Sequence, residues 1–133
     1  MENMRVAVTT VLSKYITFSG RASRAEFWWW FLALLLFSMA VGLIDGAFVA
    51  PMLGFEAFDE NAGQPLSIVV SLLLLAPGIS VGVRRLHDTG RSGWWLFLGL
   101  IPVIGALVIL FFYAQPGDPE INDYGAPTVL GDT

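Results

Sequence analysis

His87 is the only histidine in this sequence, and it stands beside Asp88. An imidazole next to a carboxylate is a common arrangement for moving protons. Chemistry of that kind also needs a nucleophile or a metal, and neither is in prospect. With one histidine and no cysteine a zinc-type ligand set cannot be completed, and no serine nucleophile arrangement surrounds the pair. The sequence therefore predicts no enzyme, no metal and no cofactor, and assigns His87 to a hydrogen-bonded structural role.

The neighbouring arginines are the stronger signal. Arg84, Arg85 and Arg91 lie in Val83-Arg84-Arg85-Leu86-His87-Asp88-Thr89-Gly90-Arg91-Ser92-Gly93-Trp94-Trp95. Arg21, Arg24 and Glu26 lie in Phe18-Ser19-Gly20-Arg21-Ala22-Ser23-Arg24-Ala25-Glu26-Phe27-Trp28. Guanidinium groups do two things well at a membrane surface. They clamp carboxylates, which would make Glu26 and Asp88, with His87, a latch between the segments; and they bind lipid phosphate through a planar fork. Five positive charges against two leave a surplus, so Arg21, Arg24, Arg84, Arg85 and Arg91 are candidates for anionic lipid or a protein partner.

Three apolar stretches position these motifs. Hydrophobic residues make up 56% of the 133 residues and charged residues 14%, too little polar surface for a water-soluble domain. No charge interrupts Phe27 to Ile44, Pro65 to Val83 or Trp94 to Ala114. Eighteen residues of helix cover about 27 Å, close to the hydrocarbon thickness. These runs lack barrel alternation, so they predict an all-α membrane protein with three transmembrane helices: span one over 25–49, span two over 65–83 and span three over 94–114, in one domain ending in a polar tail over 115–133. Ser23 and Glu26 have capping-box spacing, Pro65 suits a first helical turn, Ser92 suits a cap, and Pro77 and Pro102 should kink their helices.

Charge order sets the expected orientation. The basic residues all fall before span one or between spans two and three, and none lies in the 45–64 loop or the tail. The positive-inside rule then puts the N-terminus in the cytoplasm and the C-terminus outside, periplasmic or extracellular. Trp28, Trp29, Trp30, Trp94 and Trp95 would ring the cytoplasmic interface. Met4, Val8, Val11, Tyr15 and Phe18 recur at helical spacing, which predicts an amphipathic interfacial helix over 3–17 lying on the inner leaflet, with Thr10 facing away; docking of that helix on the protein's own cytoplasmic loop is the alternative. Gly78 and Gly82, in Gly-x-x-x-Gly spacing, predict a helix-packing face on span two. Asp45, an acid inside an apolar run, is a functional candidate, although its place near the outer end of span one favours solvation.

The two arginine motifs, with Asn122-Asp123-Tyr124-Gly125-Ala126-Pro127 near the end, resemble the domain-of-unknown-function 805 family of small bacterial inner-membrane proteins. The resemblance runs from about Tyr15 to Pro127 and implies a fold and a bacterial inner membrane, with no established activity. The residues themselves favour a structural or accessory protein. Its partners would be anionic lipids, a larger membrane complex or further copies of itself, with no role for nucleic acid. The alternative is an oligomeric transport or channel component.

Overall fold

The computed structural model describes residues 2–129, and among them every regular element is helical; Asp132 and Thr133, at the end of the expected tail, lie outside the described residues. The chain divides into two compact units, Met1–Phe31 with Ala76–Thr133, and Leu32–Leu75. Helices α1 (Glu2–Ser13), α2 (Arg24–Ile44), α3 (Ala50–Met52), α4 (Pro65–Asp88) and α5 (Ile104–Ala114) follow one another along the chain.

Two helical stretches, Arg24–Met52 and Pro65–Asp88, are long and apolar enough to cross a membrane. Leu35, Leu36, Phe37, Met39 and Leu43 on one, and Ile68, Leu72, Leu73 and Leu75 on the other, are all at least half exposed. A soluble core helix would hide such side chains, so their natural surroundings are lipid.

In the Leu32–Leu75 unit, α2 passes through a π-helical turn, Asp45–Val49, into α3. The wider turn precedes Pro51, whose ring cannot donate a hydrogen bond and would crowd the carbonyl four residues back. The turn also aims Asp45. Its carboxylate is buried and accepts from Leu66 N (3.0 Å) and Ser67 N (2.6 Å), the free N–H groups in the first turn of α4. The expected solvation of Asp45 therefore does not hold: the carboxylate caps the second span from a distant part of the chain. Nearby, Phe58 N donates to Gly46 O (2.8 Å), and a Cβ on Gly46 would collide with the Phe58 ring. Asp59 caps the 3-10 turn Glu60–Ala62 through Asn61 N (2.9 Å), so one carboxylate of the acidic loop is used on the loop's own backbone. Replacing Asp45 with alanine should cost about 0.5–2 kcal/mol, the usual range for a lost cap, read as earlier thermal unfolding in detergent. An unchanged transition would mean that water caps this helix end equally well.

In the other unit, α1 departs from its expected setting. It ends at Ser13, and Ala7, Thr10 and Val11 are buried within the protein. Its C-terminal end rests on α4, where Ser80 Oγ donates to Lys14 O (3.2 Å). Protein, not lipid, covers this face of the helix, and Thr10 belongs to it. Leu12, Tyr15, Ile16 and Phe18 remain exposed.

The expected third span is not one helix. A 3-10 segment, Gly93–Leu100, is followed by a bend at residues 101–103 and then by α5, which packs back against it. Val103 takes a positive φ of 62°, and Gly105 lies so close to the Leu98 carbonyl that any Cβ would collide with it. Pro102 therefore sits in a reversal rather than a kink. The eleven residues of α5 extend about 16 Å, roughly half the hydrocarbon thickness.

Candidate functional site

Each motif is held by a helix terminus. Ser23 caps α2, its Oγ accepting from Glu26 N (3.2 Å). Only this half of the capping box forms, because the Glu26 carboxylate turns away to Arg84. At the other motif α4 ends in a Schellman turn: Gly90, with φ of 79°, donates to His87 O (3.0 Å) and Arg91 N donates to Leu86 O (2.9 Å). The segments join through Ala22 N, which donates to Arg84 O (2.9 Å).

Between these ends lies a cluster of buried charge. Arg84 Nη1 donates to Glu26 Oε2 at 2.7 Å, Arg21 Nε to Asp88 Oδ1 at 2.9 Å, and Arg85 Nη1 to Asp88 Oδ2 at 2.6 Å. All three arginine side chains are completely buried. Glu26 and Asp88 thus each have a guanidinium from the opposite motif.

The remaining donors go to an acceptor set that residue types do not advertise. Arg21 donates to the carbonyls of Asp88, Asp118, Glu120 and Gly125, which with Asp88 Oδ1 occupies all five of its N–H groups. Arg85 donates to the carbonyls of Tyr113, Ala22 and Gln115 as well as to Asp88. Asp118 N returns a bond to Asp88 O (2.6 Å), and Gly117 packs so tightly on the Asp88 carboxylate that a Cβ would overlap it. The 113–125 segment is thereby tied to both arginine motifs by its backbone. An expected tail on the far side of a bilayer from Arg21 does not fit these bonds.

Burial also corrects the assignment of the arginines. Arg21, Arg84 and Arg85 have no surface with which to meet lipid, because the carboxylates and tail carbonyls enclose them. Arg24 is exposed and donates to Ala114 O (3.2 Å), and the Arg91 guanidinium lies 4.0 Å from the centre of the Phe112 ring. Arg84 keeps Nε and Nη2 buried without a partner among the described residues.

The other candidates sort by contact. His87 Nδ1 donates to Gly20 O (2.9 Å), and its ring stacks on Tyr124 at 3.9 Å with planes 2° apart. Gly82 packs under Tyr113 and Leu96, whereas a Cβ on Gly78 would meet nothing within 4 Å, so only one glycine of the pair packs. Trp30 is buried rather than interfacial, while Trp94 is 77% exposed. Sequence reasoning missed Tyr113, buried with its ring 4.3 Å from that of Phe27, and Tyr124; the recognised 122–127 motif was the available signal for the latter. Among the described residues no group of His, Asp and Glu is arranged to hold a metal ion.

Comparison with known proteins agrees with this composition. A family model described as "Protein of unknown function (DUF805)" matches residues 15–126. Inner membrane protein YhaH of Escherichia coli K12 is 41% identical over 116 residues, covering 86% of this chain and 89% of that protein. Inner membrane protein YhaI of the same strain is 37% identical over 122 residues, covering 92% and 94%. No solved structure matches. With the match spanning both arginine motifs and the 113–125 segment that closes over them, the chain belongs to the DUF805 family.

Proposed function

We propose that this protein is a small accessory component of the bacterial inner membrane, in which the arginine–carboxylate cluster is a structural clamp and the exposed apolar faces meet lipid or a larger membrane complex. The observation that carries this is the burial of Arg21, Arg84 and Arg85 with Glu26 and Asp88. A charge set so enclosed holds segments together and is not available for turnover. The relatives named as inner membrane proteins support the location. Native purification with mass spectrometry tests the role: a stoichiometric protein partner is the expected result, and a defined homo-oligomer alone would favour the transport or channel alternative.

We further propose two full spans and a re-entrant hairpin over 93–114 in place of three spans. The positive-inside rule, applied to the basic residues around the start of α2 and the end of α4, supports a cytoplasmic side for both motifs. Arg21 and Arg85 hold the carbonyls of Gln115, Asp118, Glu120 and Gly125, so the C-terminal segment shares that side. Its lack of basic residues reflects docking on arginines and carries no orientation signal. A C-terminal fluorescent fusion should be bright and a phosphatase fusion at the same point inactive, while phosphatase inserted in the 55–60 loop should be active. An active C-terminal phosphatase would restore the three-span arrangement.

A further inference from the structure

His87 is oriented more tightly than a passive interfacial ring requires. Gly20 O holds Nδ1 at 2.9 Å, Tyr124 covers one face, and Asn122 Nδ2 donates to the His87 carbonyl (3.0 Å). A carbonyl can only accept, so Nδ1 carries a proton, and in the neutral ring Nε2 is the acceptor. Nε2 has no protein partner among the described residues, and the side chain lines a groove of about 500 Å³. Phe18, Ile79, Val83, Trp94 and Phe97 supply most of the remaining wall, all apolar. Ser92 also lines the groove, its Oγ already accepting from Trp94 N, and a few polar groups in an otherwise apolar cleft of this size are the usual composition of a ligand site.

The shape argues for a chain rather than a compact ligand. A second apolar hollow of about 290 Å³, bounded by Trp94, Trp95, Phe97 and Leu98, shares Trp94 and Phe97 with the groove. Those two side chains are 77% and 58% exposed, so the apolar track opens onto the outer surface of the 3-10 segment. On the reading that this segment lies at the cytoplasmic membrane surface, the molecules reaching it are lipids of the inner leaflet.

We propose that this groove binds a phospholipid, one acyl chain lying along the track and a headgroup hydrogen-bond donor meeting His87 Nε2. The donor is the hydroxyl of phosphatidylglycerol or the ammonium of phosphatidylethanolamine; the headgroup of phosphatidylcholine has neither. This site is separate from the five arginines first considered for lipid, and it does not require any of them to be exposed.

The single histidine makes the test direct, because its ring nitrogens give one assignable pair of signals. Full-length protein labelled with 15N in its histidine is placed in phosphatidylcholine nanodiscs, and phosphatidylglycerol or phosphatidylethanolamine is introduced in steps. The expected result is a saturable shift of Nε2 with one or both lipids, while Nδ1 stays fixed. Saturation with phosphatidylglycerol alone identifies the hydroxyl, and with phosphatidylethanolamine alone the ammonium. Ile79 lines the groove and is 36% exposed, so Ile79→Trp should fill the site without disturbing the buried cluster. It should weaken the apparent affinity at least about tenfold. No shift with either lipid, a shift that never saturates, or one that Ile79→Trp leaves unchanged overturns the proposal. Reporter activity at the C-terminus and in the 55–60 loop is independent of this readout, so failure of the topology and failure of the groove remain distinguishable.

Discussion

Replacing Arg21 with alanine is expected to destabilise the protein by about 3–5 kcal/mol and to release the C-terminal segment. All five N–H groups of this side chain are engaged, one by the Asp88 carboxylate and four by backbone carbonyls. Truncation leaves Asp88 with Arg85 alone and strips the carbonyls of Asp118, Glu120 and Gly125 of their shared donor. The main cost falls on buried Asp88, which loses one of its two guanidinium partners, while the half-buried or exposed carbonyls of Asp118 and Glu120 lose the donor that anchors the segment and Gly125 O keeps only Asn122 N. Thermal unfolding in detergent reads the first effect, and amide exchange over residues 115–128 reads the second. Arg24→Ala is the control: that side chain is exposed and makes one bond, to Ala114 O, so a loss under about 1 kcal/mol is expected. Equal losses for the two arginines would show that the cluster does not hold the segment.

The second large effect concerns the Glu26–Arg84 pair. Nη1 bonded to Glu26 Oε2 is the only engaged nitrogen of Arg84, since Nε and Nη2 are buried without partners among the described residues. Among the described residues Glu26 is thus the one counter-charge in contact with the fully buried Arg84 guanidinium. Glu26→Gln should cost about 3–5 kcal/mol, because it leaves the charge buried and unpaired. The double replacement Glu26→Leu with Arg84→Met should recover most of that loss, because apolar residues of similar length need neither counter-charge nor donors. A double variant no more stable than Glu26→Gln would mean that the pair fixes the register of the two helices rather than merely neutralising itself.

Lysine in place of Arg85 illustrates why these positions are arginines. Arg85 reaches Tyr113 O, Ala22 O, Gln115 O and Asp88 Oδ2 from three nitrogens spread across a plane. An ammonium presents its donors from one point and cannot span acceptors placed around a planar fork. The geometry that suits phosphate recognition serves here to gather backbone carbonyls.

Much of this was legible in one dimension. Hydropathy adds along a window, so the membrane class and the stretches Arg24–Met52 and Pro65–Asp88 follow from composition and run length. The attraction between the arginine motifs and Glu26 and Asp88 was legible too, because unlike charges at the end of apolar helices have few other places to go. The order of charges also marked which ends of α2 and α4 share a side.

The features that run length and composition left open have a common physical origin. The acceptors that enclose Arg21 and Arg85 are backbone carbonyls, which every residue carries, so no choice of side chain marks the 113–125 segment as a ligand for arginine. Without those partners Arg21 and Arg85 look surplus and available to lipid; with them they are interior. Asp45 reads as a stray acid until the chain folds and the first turn of α4 arrives beside it. The stretch 94–114 has the length of a span, and whether Pro102 kinks or reverses it depends on Gly105 admitting the Leu98 carbonyl, a contact between residues seven apart. Windowed hydropathy is the same for a straight helix and a folded-back one, because burial in lipid depends on apolar content and not on direction. Content was therefore written in the sequence, while direction, pairing and enclosure came from hydrogen bonds that form only when distant backbone segments meet.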